Sequence, residues 1–168
     1  MRALPESLAI YREQLQNGAI QEAYKGLMEY ILSLKTHFKN QHPEYAIPSN
    51  IYFGYMDMTY FSIVPEGLKK RGLKIAIVFL HKEFRFEVWL AGVNKDVQAD
   101  YWKRINESSW NKYNLVPTLK GADSILEHVL VENPDFNNLN ALTNQIEQKT
   151  LRFINEVESF LSKSKSLP

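Results

Sequence analysis

The alternation of apolar and polar positions is clearest in residues 73–93, LKIAIVFLHKEFRFEVWLAGV. Residues 73–80 are a short apolar run rich in β-branched side chains, and residues 84–93 alternate with a period of two. Both patterns are typical of β-strands. The polar pair Lys82-Glu83 separates the two runs and predicts a β-hairpin. It lacks the Asn-Gly or Asp-Gly of the tightest turns, which leaves a longer loop open as an alternative.

A turn at this place fixes which hairpin residues face each other, with Ile77 opposite Val88. One face then carries the apolar set Ile75, Ile77, Phe79, Phe86, Val88 and Leu90. The other face carries Arg85, Glu87 and Trp89 beside Ala76, Val78 and Leu80. Because a one-residue slip would exchange the two faces, we expect the apolar face to be core and the second face to be partly covered or to line a groove. Replacing Ile77 by Asp is expected to destroy the fold, and replacing Arg85 and Glu87 by Ala to leave it intact.

Apolar residues spaced three and four apart predict two long amphipathic helices, one from residue 19 to about 39 and one over residues 137–163. A shorter helix is predicted over residues 4–16, with Leu8, Tyr11 and Leu15 on one stripe. Asn94 is a good N-cap for a further helix that begins at Lys95 and ends near Asn106.

Two stretches can be interpreted in more than one way. Residues 51–64 are dense in aromatic and β-branched side chains, and we predict one long strand, bent or bulged at Gly54. The alternative is a hairpin that bends near Gly54 or Asp57. Residues 121–133 have both helical spacing and strand composition. We favour a strand, because Asn-Pro-Asp ends the stretch after few residues.

These elements give the order α–α–β–β–β–α–(β)–α. Three consecutive antiparallel strands form a meander, and the long amphipathic helices need an apolar face to cover. The sequence therefore predicts an α+β fold in a single domain over residues 1–168. It is expected to have an antiparallel sheet of three to five strands, with the two long helices packed mainly on one side. Residues 164–168 are expected to fray.

Charge and cysteine content narrow the function classes. The chain has 20 basic and 19 acidic side chains, so bulk attraction to nucleic acid is absent and nucleic acid is not expected as a partner. It has no cysteine, which excludes disulfides, thiolate metal sites and a cysteine nucleophile, and suits a reducing compartment. The first 15 residues contain no long apolar stretch and no cleavage pattern, so we expect no signal peptide. No apolar run approaches the roughly 18 residues of a membrane span. We expect a cytoplasmic protein without a membrane span.

No catalytic, phosphate-binding or dinucleotide-binding motif is present, and no cofactor or metal is predicted. Asp57 is unusual because aspartate is disfavoured within strands. Together with Arg85, Glu87 and Trp89 it forms the candidate binding site, for an unidentified small molecule or protein. The favoured interpretation is a cytosolic binding or interaction domain without catalytic activity. A weaker alternative is acid–base catalysis by His81 or His128, which requires one imidazole to line a pocket beside a carboxylate.

The order of helix, three antiparallel strands, helix and strand resembles the core of the restriction-endonuclease-like nucleases. In that superfamily an Asp and a Glu-x-Lys on the next strand hold a divalent metal. The resemblance implies a metal-dependent nuclease-like enzyme, or another small enzyme, that uses Asp57 and Glu87. The chain departs from the pattern, because Trp89 stands where the lysine belongs and Asp57 is one strand too far from Glu87.

Three further stretches, LKIAIVFLHKEFRFEVWLAG, KDVQADYW and NPDFNNLNALTNQIE, resemble an uncharacterised family of bacterial domains of unknown function. This resemblance covers most of the chain. It implies no activity and assigns no site residues.

Overall fold

The computed structural model describes residues 2–163, so the predicted frayed end at 164–168 lies outside the described residues. The helices of this part are α1 (Leu4–Leu15), α2 (Ala19–Gln41), α3 (Glu66–Lys69), α4 (Lys95–Asn106) and α5 (Leu139–Lys163). The strands are β1 (Met58–Ile63), β2 (Leu73–Leu80), β3 (Arg85–Gly92), β4 (Asn114–Leu115) and β5 (Leu126–Glu132). The Asn94 side chain accepts a hydrogen bond from the backbone N–H of Val97 at 2.9 Å, which confirms the predicted N-cap of α4.

The strands form one antiparallel sheet in the order β1-β2-β3-β5-β4. The predicted α+β class and the meander β1-β2-β3 are confirmed. The strand interpretation of residues 121–133 is also confirmed, because β5 lies within them and pairs with β3. Along that pairing the register shifts between Phe86 and Glu87, so Leu130 has no partner on β3.

The central hairpin has the predicted register, with Ile77 opposite Val88 and Leu80 opposite Arg85. Its turn takes four residues, His81 to Phe84, and Phe84 has a left-handed φ of 53°. The longer-loop alternative is therefore correct. The apolar face is buried throughout, and its members are Ile75, Ile77, Phe79, Phe86, Val88 and Leu90. Burying a side chain of this size contributes about 1.5–3 kcal/mol, so this face makes a large contribution to folding.

The long helices α2 and α5 cover this apolar face. Their buried apolar residues join one core with it: Tyr30, Ile31, Leu34 and Phe38 from α2, and Leu142, Ile146, Phe153, Ile154, Val157 and Leu161 from α5. Helix α4 lies on the same side. Strand β3 and helix α4 approach closely at Gly92, because a Cβ at this position would lie only 2.6 Å from the backbone nitrogen of Gln98 in α4. The prediction that the helices pack mainly on one side is confirmed.

The prediction of one strand over residues 51–64 is wrong. Only β1 is a strand, and the chain folds back before it, because Tyr52 and Tyr60 exchange two backbone hydrogen bonds of 2.9 Å each. Gly54 and Met56 have left-handed φ values of 65° and 60°. Two such residues so close together reverse the chain where a bulge would only bend it. The hairpin alternative is closer to the structure.

Helix α1 lies outside the core, and none of its residues is buried. The predicted stripe is therefore turned to solvent, with Leu8 and Tyr11 exposed to 54% and 59%. Gly18 ends the turn to α2 with a φ of 77°. The side chain of Asn17 accepts the N–H of Ala19 at 3.0 Å, and the side chain of Gln21 donates to the carbonyl of Leu15 at 2.9 Å. The direction of α1 is therefore held by its own turn and not by the core.

Two further features of the described residues concern the sheet edge and the helices as a whole. Strand β4 pairs with only Leu126 and Glu127 of β5. Beyond it, Nζ of Lys149 in α5 donates a hydrogen bond to the carbonyl of Leu130 at 2.6 Å.

None of the helices between residues 2 and 163 combines the length and hydropathy needed to cross a bilayer.

Candidate functional site

The second hairpin face carries a charged and aromatic row along β3. Glu87 is 3% exposed. Its Oε1 accepts a hydrogen bond from Nε of Arg85 at 2.7 Å, and its Oε2 accepts one from Nε1 of Trp89 at 2.6 Å. Arg85 also donates to Glu132 on β5 at 2.9 Å. A buried carboxylate needs such partners, and here both oxygens of Glu87 are used within the protein.

The structure does not bring Asp57 to this row. Asp57 lies in the reversal before β1, where its side chain accepts the backbone N–H of Tyr55 at 2.9 Å. Hydrogen bonds from the backbone of Met58 and Tyr55 hold the pKa of Asp57 below its usual value. Its unusual position in the sequence therefore reflects a turn. Among the described residues, no three His, Asp or Glu side chains gather closely enough to hold a metal ion.

Two shallow grooves lie beside the row, and no helical residue lines either of them. One, of about 280 Å³, runs over Tyr60, Ala76 and Trp89. The other, of about 310 Å³, lies near the β4–β5 edge and includes Glu87 and His128. Burial and the nearby Lys149 lower the pKa of His128. Asp57 lines neither groove.

A predominantly apolar cavity lies at another place, between α2 and the hairpin turn. We call it the apolar groove, and its volume is about 560 Å³. Its walls are Ala23, Tyr24, Leu27, Tyr30, Phe84 and Phe136. Its rim carries the exposed apolar side chains Ile20, Met56 and Leu139. Helix α2 begins at Ala19 and its first buried residue is Tyr30, so its first three turns are less covered than the rest of the helix and border the groove.

Aromatic contacts fix the floor of the apolar groove. Tyr30 packs edge-on against Phe86 and Phe136, with ring centroids 5.9 and 5.7 Å apart. Phe84 at the hairpin turn contacts Phe136 at 6.0 Å and Phe79 of the core at 5.4 Å. Edge-to-face pairs at such distances add to the stability that burial gives. The floor is therefore a continuation of the core and is already formed without a ligand.

Besides the hydroxyl groups of Tyr24 and Tyr30, the polar groups of the wall are the side chains of His81 and Glu22. The proton of the His81 ring can be placed. Thr59 donates its hydroxyl proton to the carbonyl of Phe53 at 3.0 Å, since a carbonyl cannot donate. The Thr59 hydroxyl must then accept from Nε2 of His81 at 2.9 Å. Nδ1 of His81 is left as a hydrogen-bond acceptor, and no described residue donates to it.

Burial lowers the pKa of His81 from its ordinary 6.5, and the charge of Asp57 only partly opposes this. The imidazole is therefore neutral at pH 7. Its ring stacks on Tyr24 at 6.1 Å, which orients it at the wall of the groove. His81 and Glu22 both line the apolar groove, but no hydrogen bond or ion pair joins their side chains, so acid–base catalysis by His81 stays a prediction.

Sequence reasoning missed the apolar groove as a site. Four separate segments build it: the first turns of α2, the reversal before β1, the hairpin turn and the residues that lead into α5. One signal was present. The apolar stripe of α2 extends back to Ile20, well before the first buried residue of the helix, Tyr30.

Comparison with known proteins bears on the family. Searches of curated proteins and of solved structures found no match for the chain. A family model described as a domain of unknown function, DUF7000, matches residues 4–161. This match includes every strand and all the helices described above except the last two residues of α5, and it confirms the resemblance to an uncharacterised domain family. The chain therefore belongs to the DUF7000 family of domains of unknown function.

Proposed function

We propose that this protein is a non-catalytic interaction domain that takes apolar side chains of a helical partner segment into the apolar groove. The observation that carries the proposal is a preformed apolar cavity of about 560 Å³ whose rim also exposes apolar side chains. The proposal keeps the class of function expected from the sequence. It moves the site from the second face of the sheet to the opposite side of the hairpin.

The shape and chemistry of the groove favour a helix as the occupant. An amphipathic helix places residues i, i+3, i+4 and i+7 in an apolar groove and keeps its polar face in water. Apart from two tyrosine hydroxyl groups, the apolar groove has only Glu22 and His81 as polar wall residues. A polar ligand would leave most of its hydrogen-bonding groups without partners there, which is costly.

The second face of the sheet is a weaker candidate binding site, because its polar side chains already have partners within the protein. Arg85, Glu87 and Trp89 are polar, but they already satisfy one another. A ligand would have to replace internal hydrogen bonds before it gained its own. The exposed apolar side chains beside the groove have no such partners to lose, and exposed patches of this kind commonly mark interaction sites.

A labelled probe helix tests the proposal. The probe is a synthetic amphipathic peptide with leucines at i, i+4 and i+7, and binding to the full chain is measured by fluorescence anisotropy. Ala23→Arg places a long charged side chain in the wall and should abolish binding. Ala99→Arg is the matched control, because Ala99 is an exposed helical alanine outside the groove. Equal affinity of the two variants for the probe would overturn the proposal. So would the absence of binding both to the unmodified chain and to the monomeric variant described below.

A second candidate function rests on Nδ1 of His81. A neutral imidazole with one free acceptor in an apolar wall suits a small apolar ligand that carries a single hydrogen-bond donor, such as a phenol. Titration with 4-ethylphenol should shift the NMR signals of His81 and of the groove. His81→Phe should remove the binding, and His128→Phe should leave it unchanged. Binding that survives His81→Phe would exclude this candidate.

The bacterial cytosol stays the proposed setting. The absence of cysteine from the chain supports it, because thiol-free chains are at no disadvantage in a reducing compartment. Fractionation of a native host, with detection of the protein by antibody, would test it. Recovery in a membrane or secreted fraction would contradict it.

A further inference from the structure

Helix α1 contacts α2 near its end but leaves most of its apolar stripe uncovered. It has 12 residues and none is buried, although Leu4, Leu8 and Tyr11 expose 70%, 54% and 59% of their surface. An isolated helix of about 12 residues is only marginally stable in water. The helix therefore needs a partner surface for its apolar stripe.

The stripe of α1 has the spacing that a groove recognises. Leu4, Leu8, Tyr11 and Leu15 stand at i, i+4, i+7 and i+11, so they lie on one side of the helix. The apolar groove offers a cavity of about 560 Å³ between a helix and a turn. One chain thus carries both an apolar helix without a covering surface and an apolar groove without an occupant.

The helix does not reach the groove of its own chain. None of the groove-lining residues belongs to α1. The turn between Leu15 and Gly18, which joins α1 to α2, is closed by the hydrogen bonds of Asn17 and Gln21 described above. Occupation within one chain would require this turn to open, whereas occupation by another molecule requires no change in the chain.

We propose that α1 of one copy docks in the apolar groove of a second copy, and that the second α1 docks in the first groove. This inference rests on the proposed function and names its partner. Reciprocal docking forms a closed two-fold dimer, in which each copy gives one helix and receives one. The apolar stripe of α1 and the apolar groove are then covered in both copies, so neither of them is left to recruit a third copy.

Size and charge agree with a reciprocal contact. Stable interfaces bury about 1,200–2,000 Å², and a single 12-residue helix supplies only part of such an area. Two symmetric contacts double it. The charges of α1 are Glu6, Arg12 and Glu13, and the chain carries a net charge of only +1. Two copies therefore approach without strong repulsion.

Sedimentation velocity of the full chain tests the dimer. The unmodified protein should have a mass in solution of twice the 19.6 kDa of one chain, and the dimer should dissociate on dilution. Leu8→Asp should hold it at one chain's mass. Leu32→Asp is the matched control, because Leu32 is equally exposed on α2 but lies outside the stripe and the groove, and it should remain dimeric. A monomer at every concentration, or the same mass for both variants, would overturn the inference.

Cross-linking tests which surfaces meet. The chain has no cysteine, so single cysteines can be introduced without interference. A mixture of the Leu8→Cys and Ala23→Cys chains should form a mixed disulfide dimer on oxidation, and a mixture of Leu32→Cys and Ala23→Cys should not. Equal cross-linking of both mixtures, or none in either, would contradict docking of α1 in the groove.

The probe helix separates this inference from the proposed function. The Leu8→Asp variant should bind the probe several-fold more tightly than the unmodified chain, because its groove is no longer occupied. If the unmodified chain is monomeric but binds the probe in an Ala23-dependent way, the interaction domain stands and the dimer falls. If a dimer persists in Ala23→Arg, the dimer uses another surface and this inference falls.

Discussion

Nε1 of Trp89 donates a hydrogen bond to Oε2 of Glu87 at 2.6 Å, two residues back on the same strand. This contact and the Arg85 contact on the other oxygen explain how a carboxylate that is 3% exposed is tolerated in the middle of the sheet. Burying a charge is unfavourable unless it is paired and hydrogen-bonded. The three side chains therefore act as one structural unit.

Arg85→Ala should destabilise the protein by about 1–3 kcal/mol, because it leaves a buried oxygen of Glu87 without a partner. The burial of Glu87 thus changes the expectation that both Arg85 and Glu87 can be replaced by Ala without effect on the fold. Urea unfolding measures the change. Arg104→Ala is the control, because its ion pair with Asp100 is exposed and such pairs contribute about 0–1 kcal/mol. An equal loss in both variants would show that burial of Glu87 does not matter.

Ile77→Asp should abolish folding, because Ile77 is 2% exposed at the centre of β2 and a charge there would have no partner. Circular dichroism should show loss of the cooperative transition. Leu32→Asp makes the same change at an exposed position of α2 and should retain the transition. A folded Ile77→Asp protein would contradict the register of the hairpin.

Two glycines should respond in opposite directions to alanine. Gly26 lies inside α2 with open space where a Cβ would stand, so Gly26→Ala should stabilise the protein by about 1 kcal/mol. Gly92→Ala should destabilise it, because the new Cβ would meet the backbone of Gln98 at 2.6 Å. Thermal unfolding of both variants measures the two shifts. The same sign for both would contradict the close approach of α4 to β3.

Stability should fall as the pH drops below 6.5. Burial lowers the pKa of His81 and His128 in the folded protein, so the unfolded chain takes up protons first. By linkage, the contribution of the two neutral histidines to the free energy of unfolding is fully present above pH 6.5. It is lost as the pH falls towards their pKa values in the folded protein. Urea unfolding between pH 7 and about pH 5, above the range in which ordinary carboxylates titrate, measures it.

His81→Asn provides the control for this pH dependence. It should flatten the curve, because one of the two shifted groups is removed while Asp57, which faces it, remains. An unchanged curve would assign the effect to groups other than His81. Asp57 itself contributes at lower pH, since backbone hydrogen bonds lower its pKa.

Elements that are determined by a pattern of neighbouring residues could be predicted well. The period-two pattern around Ile77 and Val88 fixed the hairpin register, and the three-four spacing after Ala19 fixed α2. The same periodicity placed Arg85, Glu87 and Trp89 on one face, where the structure brings them together. Such patterns succeed because each residue faces the partner that its own spacing dictates.

The reversal before β1 could not be predicted in the same way. Met56 adopts a left-handed φ that its residue type rarely takes, and composition favoured a continuous strand. Because of this error, Asp57 was predicted to lie in a strand and was therefore included in the candidate binding site. The apolar groove was missed for a different reason, because Tyr24, His81 and Phe136 meet only after the tertiary fold brings distant segments together.

The hydrogen bond from Lys149 to Leu130 bears on how copies of the sheet avoid one another. An open strand edge is a template on which sheets of different molecules can polymerise into fibrils. Along β5, past the short β4, an incoming strand would have to displace an ammonium group anchored in α5 and lose that hydrogen bond. Lys149 thus disfavours the addition of a strand at this carbonyl, and acetylation of its ammonium group would remove that obstacle.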